Sequence, residues 1–185
     1  MDAQIPKKRT KVLLVEDGLV NSQWTAQHLI ELTHPDHADI HVIHVLPARK
    51  HPIVMTLYMG GAREIHPPAL TEKEIETITA KEESEGHALL KETCDLLLKS
   101  GLRSTPILRR GAALNQIIKY AKEEEIELIV VGADKPKNLR TWQTYNFMRR
   151  LMQCSTCPVL IVNKPWQLDS LGSTALDFSK NKLQT

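Results

Sequence analysis

The 185-residue chain has only three cysteines, an odd and sparse set. That argues against a disulfide framework and for a reducing compartment, so the cytoplasm is the expected location. No apolar run comes near the roughly 18 residues a membrane-spanning helix needs, so no membrane partner is expected. Residues 1–10, MDAQIPKKRT, lack the apolar core of a secretory leader. The net charge is only +2, too small by itself to argue for nucleic acid as a partner. Aromatic residues make up just 4% of the chain, and none can be placed as a stacking platform among the basic residues. What is present is ordinary for a soluble domain with a real core: 42% hydrophobic and 25% charged residues.

Short apolar runs alternate with helical patterns. Lys11–Val15 reads as a buried strand closed by Gly18. Asn21 or Ser22 can cap the helix that follows, whose Ala26, Leu29, Ile30 and Thr33 share a face and which Pro35 stops. Ala38–Leu46 is the second strand. Pro47–Ala69 is broken up by Pro52, Gly60-Gly61 and Pro67-Pro68. Thr71 with Glu74 matches a capping box, opening a long helix to about Ser100 with Gly101 at its end; the polar first half is expected to be exposed. Arg103–Arg109 is a third strand. Leu114, Ile117, Ile118 and Ala121 trace an amphipathic helix. Glu127–Val131, a helix over Trp142–Met152, and Val159–Val162 complete the series. This order predicts a parallel sheet with helices on both faces. Residues 1–10 read as a polar lead-in, 11–164 as the domain and 165–185 as a loose tail.

Several patterns compete for a function. Cys154 and Cys157 form a CxxC, but only Cys94 remains elsewhere, so a four-cysteine metal site is excluded. His34, His37, His41, His44 and His51 cluster in sequence, yet His41 and His44 are three apart on a strand and so face opposite ways. Lys135, Lys137, Arg140, Arg149 and Arg150 form a basic patch that reads as a solvated face. Glu16-Asp17 after the first strand resembles a response-regulator receiver. However, the third strand ends in Leu108-Arg109-Arg110 without the required carboxylate. No nucleophile, base and orienter pattern stands out.

Five stretches taken together are more specific. They are Val12–Gly18 (VLLVEDG), His41–Val45 (HVIHV), Gly111 before the third helix, Leu128–Gly132 (LIVVG) and Cys157–Val162 (CPVLIV). In this order and spacing they resemble the universal stress protein family over residues 10–164. The resemblance implies a single-domain, three-layer α/β/α fold with a five-stranded parallel sheet. It also implies a homodimer through the strand Val159–Val162, and an adenine nucleotide, ATP or AMP, as the candidate ligand. ATP-binding members carry Gly-x-x-Gly, nine residues, then Gly-Ser or Gly-Thr. Here the first glycine is Gly132, the second position is Lys135, and the closing pair is Tyr145-Asn146. The loop keeps its length and loses two of three glycines, which weakens a backbone cradle for phosphate. Lys135 would attract phosphate as a point charge and Asn146 could keep a hydrogen bond. Asp17 matches the acidic residue that contacts the nucleoside, and Val45 lies near the position whose backbone meets adenine. The expected function is a stress-response binding and regulatory module with a degraded phosphate loop. The alternative is a nucleotide sensor or slow ATPase using the same cleft.

Overall fold

The run Val12–Val15 forms the centre of the molecule. A computed structural model describes residues 8–17, 20–48, 71–133 and 139–163, the side chains of 20–22 and 139–145 excepted. Strand β1 (Thr10–Glu16) lies in the middle of a five-stranded sheet. On one face Val12 and Leu14 pack with Ala26, Leu29, Leu90 and Leu97. On the other, Leu13 and Val15 pack with Ile117, Ala121, Met148 and Leu151. A strand covered on both faces has no polar side to show, which is why the run is continuous instead of alternating.

The remaining elements follow in strict alternation: α1 (Val20–Leu32), β2 (Ala38–Leu46), α2 (Glu72–Lys99), β3 (Arg103–Arg110), α3 (Ala113–Glu123), β4 (Leu128–Ala133), α4 (Leu139–Cys154) and β5 (Val159–Asn163). The order across the sheet is β3-β2-β1-β4-β5, and every neighbouring pair is parallel. Helices α1 and α2 cover one face, α3 and α4 the other. This order also disposes of the receiver reading, because flavodoxin-like receivers run 2-1-3-4-5.

Helix α2 shows how local signals set an element. Thr71 accepts from the Glu74 backbone while the Glu74 carboxylate accepts from the Thr71 N–H, a complete capping box. This pulls Glu74 below the usual carboxylate range. At the other end Leu102 N–H bonds to Leu97 O and Gly101 N–H to Leu98 O, the paired closure of a Schellman motif. Only the second half is buried, through Gly86, Leu90, Thr93 and Leu97. With 28 residues the helix is about 42 Å long, more than a nine-residue strand can cover, so the charged first half has no sheet beneath it.

Strand β4 runs Leu128–Ala133 instead of Glu127–Val131, β1 gains a residue at each end, and two helix starts shift from the sequence reading. Helix α1 begins at Val20, which places Asn21 and Ser22 inside the first turn and not at its cap. Helix α4 begins at Leu139, one turn before Trp142. Gly18, the stretch 49–70, Lys135, Lys137 and the tail from 164 lie outside the described residues.

Candidate functional site

In an open parallel sheet, ligands bind beyond the carboxyl ends of the strands, where the strand order reverses. Here the reversal falls between β1 and β4. A cavity of about 320 Å³ opens there. Strand β1 contributes Val15 and Glu16, with Asp17 just beyond its end, β2 contributes His44 and Val45, and β4 contributes Val131 and Gly132. Ala113 and Ile117 of α3 and Phe147 of α4 close the sides. The walls are mostly apolar, which suits a flat, weakly polar ring system.

The two adjacent acids have different fates. Strand alternation sends neighbouring side chains to opposite sides. Glu16 is 4% exposed, and its Oε2 accepts from Thr93 Oγ1 at 2.6 Å. Asp17 is exposed at the cavity. Of the two acids, Asp17 is the one on the exposed side of the cavity.

Helix α3 points its N-terminus at the same cavity. Gly111 N–H donates to Leu46 O at 2.9 Å and turns the chain at φ +142°. L side chains rarely adopt that backbone conformation, so the turn needs glycine, whereas the nearby Gln116 amide could swing aside from a Cβ. The cap residue is Ala112, which has no side chain to accept from the first turn, and that turn holds no acid. The positive end of the helix dipole thus faces the cavity, an arrangement that favours an anion by about 0.3–1 kcal/mol.

Of the sequence candidates, Asp17, Val45 and Gly132 come together at the cavity. Asn146 lies on α4 and is exposed, while its neighbour Phe147 is the one that lines the wall. Lys135 and the Tyr145 side chain lie outside the described residues. The sequence reading did not place Val15, Glu16, His44, Ala113, Ile117, Val131 or Phe147 at the cleft. A signal existed for Val131, which directly precedes the strand-end glycine; the helix residues reach the site only through packing. Among the described lining residues there is no hydroxyl, thiol or amine nucleophile.

The other chemistry-bearing groups sit elsewhere. His41 shares a 2.7 Å hydrogen bond with Tyr120 on the α3 face, whereas the Cδ2 of His44 lies over Gly86 of α2, so the two histidines do face opposite ways. Burial lowers the His41 pKa and raises that of Tyr120. Burial also raises the Cys94 thiol, away from reactive thiolate. Cys154 is exposed at the end of α4, and the Ser155 hydroxyl donates to Cys157 O at 2.8 Å and accepts from Cys157 N–H at 3.3 Å. No helix among the described residues is long and apolar enough to cross a membrane.

The universal stress protein family model matches residues 8–163. The chain is 27% identical over 152 residues to universal stress protein YxiE of Bacillus subtilis, covering 82% of this chain and 97% of that one. Among solved structures, universal stress protein UspA from Lactobacillus plantarum superposes with a TM-score of 0.62 at 18% identity, over 84% of this chain and 99% of the other. A universal stress protein family protein from Arabidopsis thaliana with AMP bound superposes with a TM-score of 0.58 at 14% identity, over 89% and 97%.

Proposed function

The chain belongs to the universal stress protein family, and from that premise we propose that it acts in stress response as a cytoplasmic, homodimeric binding and regulatory module. Its cleft takes an adenine nucleotide of AMP size and lacks the family's glycine grip on a triphosphate. The observation that carries this reading is the cavity at the β1/β4 reversal, with apolar walls, Asp17 at its edge and the α3 N-terminus facing it. A related fold with AMP bound supports the ligand class. The replacement of two loop glycines by Lys135 and Tyr145 supports the weak triphosphate grip, because a Cβ resists the conformations that close backbone N–H groups on phosphate.

The dimer reading rests on β5. Val159, Leu160 and Ile161 are half-buried on an edge strand, and an apolar edge calls for a cover. Light scattering is expected to give twice the chain mass; a mass of one chain at working concentration removes the dimer.

The ligand test is calorimetric titration of dialysed protein with AMP and with ATP, with and without magnesium. AMP is expected to bind, ATP to bind no tighter, and magnesium to add nothing. Silence for both nucleotides overturns the nucleotide reading. ATP binding much tighter than AMP overturns the degraded-loop reading, and release of ADP replaces the binding module with a slow ATPase.

A further inference from the structure

Asp17 meets the cavity from a strand end that is held from behind. Glu16 and His44 are register partners on β1 and β2. The Glu16 carbonyl accepts from His44 Nδ1 at 2.8 Å. A carbonyl has no proton to give, so Nδ1 carries the hydrogen and the imidazole tautomer is fixed. The Glu16 carboxylate is held separately by Thr93 of α2 at 2.6 Å. The other flank of the His44 ring rests on Gly86, where a Cβ would come within 3.2 Å of Cδ2 and 2.8 Å of Leu108 Cδ1. Glycine in mid-helix is unfavourable to the helix itself; here it lets α2 close on the ring.

The Glu16 carbonyl and the Asp17 N–H belong to one planar peptide unit, and the described chain has no cis peptide. In a trans unit the N–H points opposite to the carbonyl. Clamping the carbonyl to β2 therefore turns the Asp17 N–H to the β4 side, where the cavity opens. We infer that His44 and Thr93 are positioning residues: acting through Glu16, they fix where β1 leaves the sheet and so where Asp17 meets a ligand. The ligand part rests on the nucleotide reading above; the geometric part does not. The device also separates the roles of two adjacent acids, with Glu16 as the anchor and Asp17 as the presented group.

The full chain tests this with His44→Leu, His44→Asn and Thr93→Val. An asparagine amide can donate from the place of Nδ1; leucine cannot donate at all. Three measurements are read: the ¹⁵N shifts of the His44 ring, the ¹⁵N order parameter of the Asp17 amide, and AMP affinity by calorimetry. The wild type is expected to show the Nδ1–H tautomer and an Asp17 amide as rigid as the strand before it. H44L is expected to lower the Asp17 order parameter and weaken AMP about tenfold, with H44N recovering most of both and T93V giving a smaller loss in the same direction. An Nε2–H tautomer, an unchanged Asp17 order parameter in H44L, or H44N as impaired as H44L overturns the proposal. If H44L does not fold, the nearly isosteric T93V decides by the same order parameter. If the wild type binds no AMP, the nucleotide reading fails alone, and the Asp17 order parameter still decides the positioning.

Discussion

The two edges of the sheet are built in opposite ways. At one edge, β3 carries Pro106 in its middle and Arg103, Arg109 and Arg110 around it. Proline removes a ladder donor and charge repels a docking strand, so this edge is blunted. Helix α2 reinforces it: Gly86 packs onto Leu108, and Arg110 holds Glu82 at 2.6 Å and Glu83 at 3.4 Å. At the other edge, β5 is VLIVN, with no proline and no charge inside the strand, and three of its apolar residues are only half-buried. Among the described residues, the same sheet thus closes one side within the chain and leaves the apolar β5 as the edge on the other. The contrast is what the proposed dimer through β5 rests on.

Substitutions at the two edges sharpen this comparison, ranked here by their cost to the folding of one chain. Ile107 and Ile161 are the same residue on opposite edge strands, one buried and one half-buried. Ile107→Ala should destabilise by about 2–5 kcal/mol in urea unfolding and leave the assembly mass unchanged, because it opens a cavity against α3. Gly86→Val should cost about 1–3 kcal/mol by overpacking Leu108 and His44. Ile161→Lys should change single-chain stability by under about 1 kcal/mol, yet halve the light-scattering mass, because a charge on each of two pairing strands repels. If Ile161→Lys keeps the dimer while Ile107→Ala dissociates it, the roles of the edges are reversed.

Arg110 gives a smaller effect. Its guanidinium is held charged by Glu82, but the pair is open to water, with side chains 20% and 32% exposed. Arg110→Ala should cost about 1 kcal/mol or less, and less still in high salt. A larger loss, insensitive to salt, would mean that the bond to Pro47 O matters more than the ion pairs.

How much of this was legible in the sequence depends on the range of the interaction. All nine elements among the described residues were readable, because apolar runs, the Thr71/Glu74 box and Gly101 act within a few residues. Helix starts were less so: Asn21 and Ser22 look like caps, but the helix already includes both. Asp17, Val45 and Gly132 were named from the family resemblance, and all three lie at or next to the carboxyl ends of β1, β2 and β4, where the cavity opens. Glu16, His44 and Thr93 were not legible as a unit. Thr93 is 77 residues from Glu16, and nothing in its neighbourhood marks it as a partner for a buried carboxylate. The strand order was equally hidden, since alternation predicts a parallel sheet without saying which strand is central.

The smallest effect concerns pH and again separates the edges. His41 pairs in register with Thr105 of β3, so its titration bears on the β2–β3 side. Burial beside Tyr120 holds its folded-state pKa below the ordinary histidine value. The unfolded chain therefore takes up this proton first as pH falls. The stability His41 contributes is complete above the ordinary value and is lost as the pH drops below it towards the lowered one. Tyr120 has the opposite sign: burial raises it, so its contribution is present below the ordinary tyrosine value and is lost as the pH rises above that. On acidification below the ordinary histidine range, amide protection factors, corrected for the slower intrinsic exchange, should fall along β2–β3 before β4–β5. His41→Phe, which cannot be protonated, should flatten that difference. Equal acid response at both edges with His41 in place would mean that carboxylates dominate the titration, and the asymmetry between the edges would then be one of packing alone.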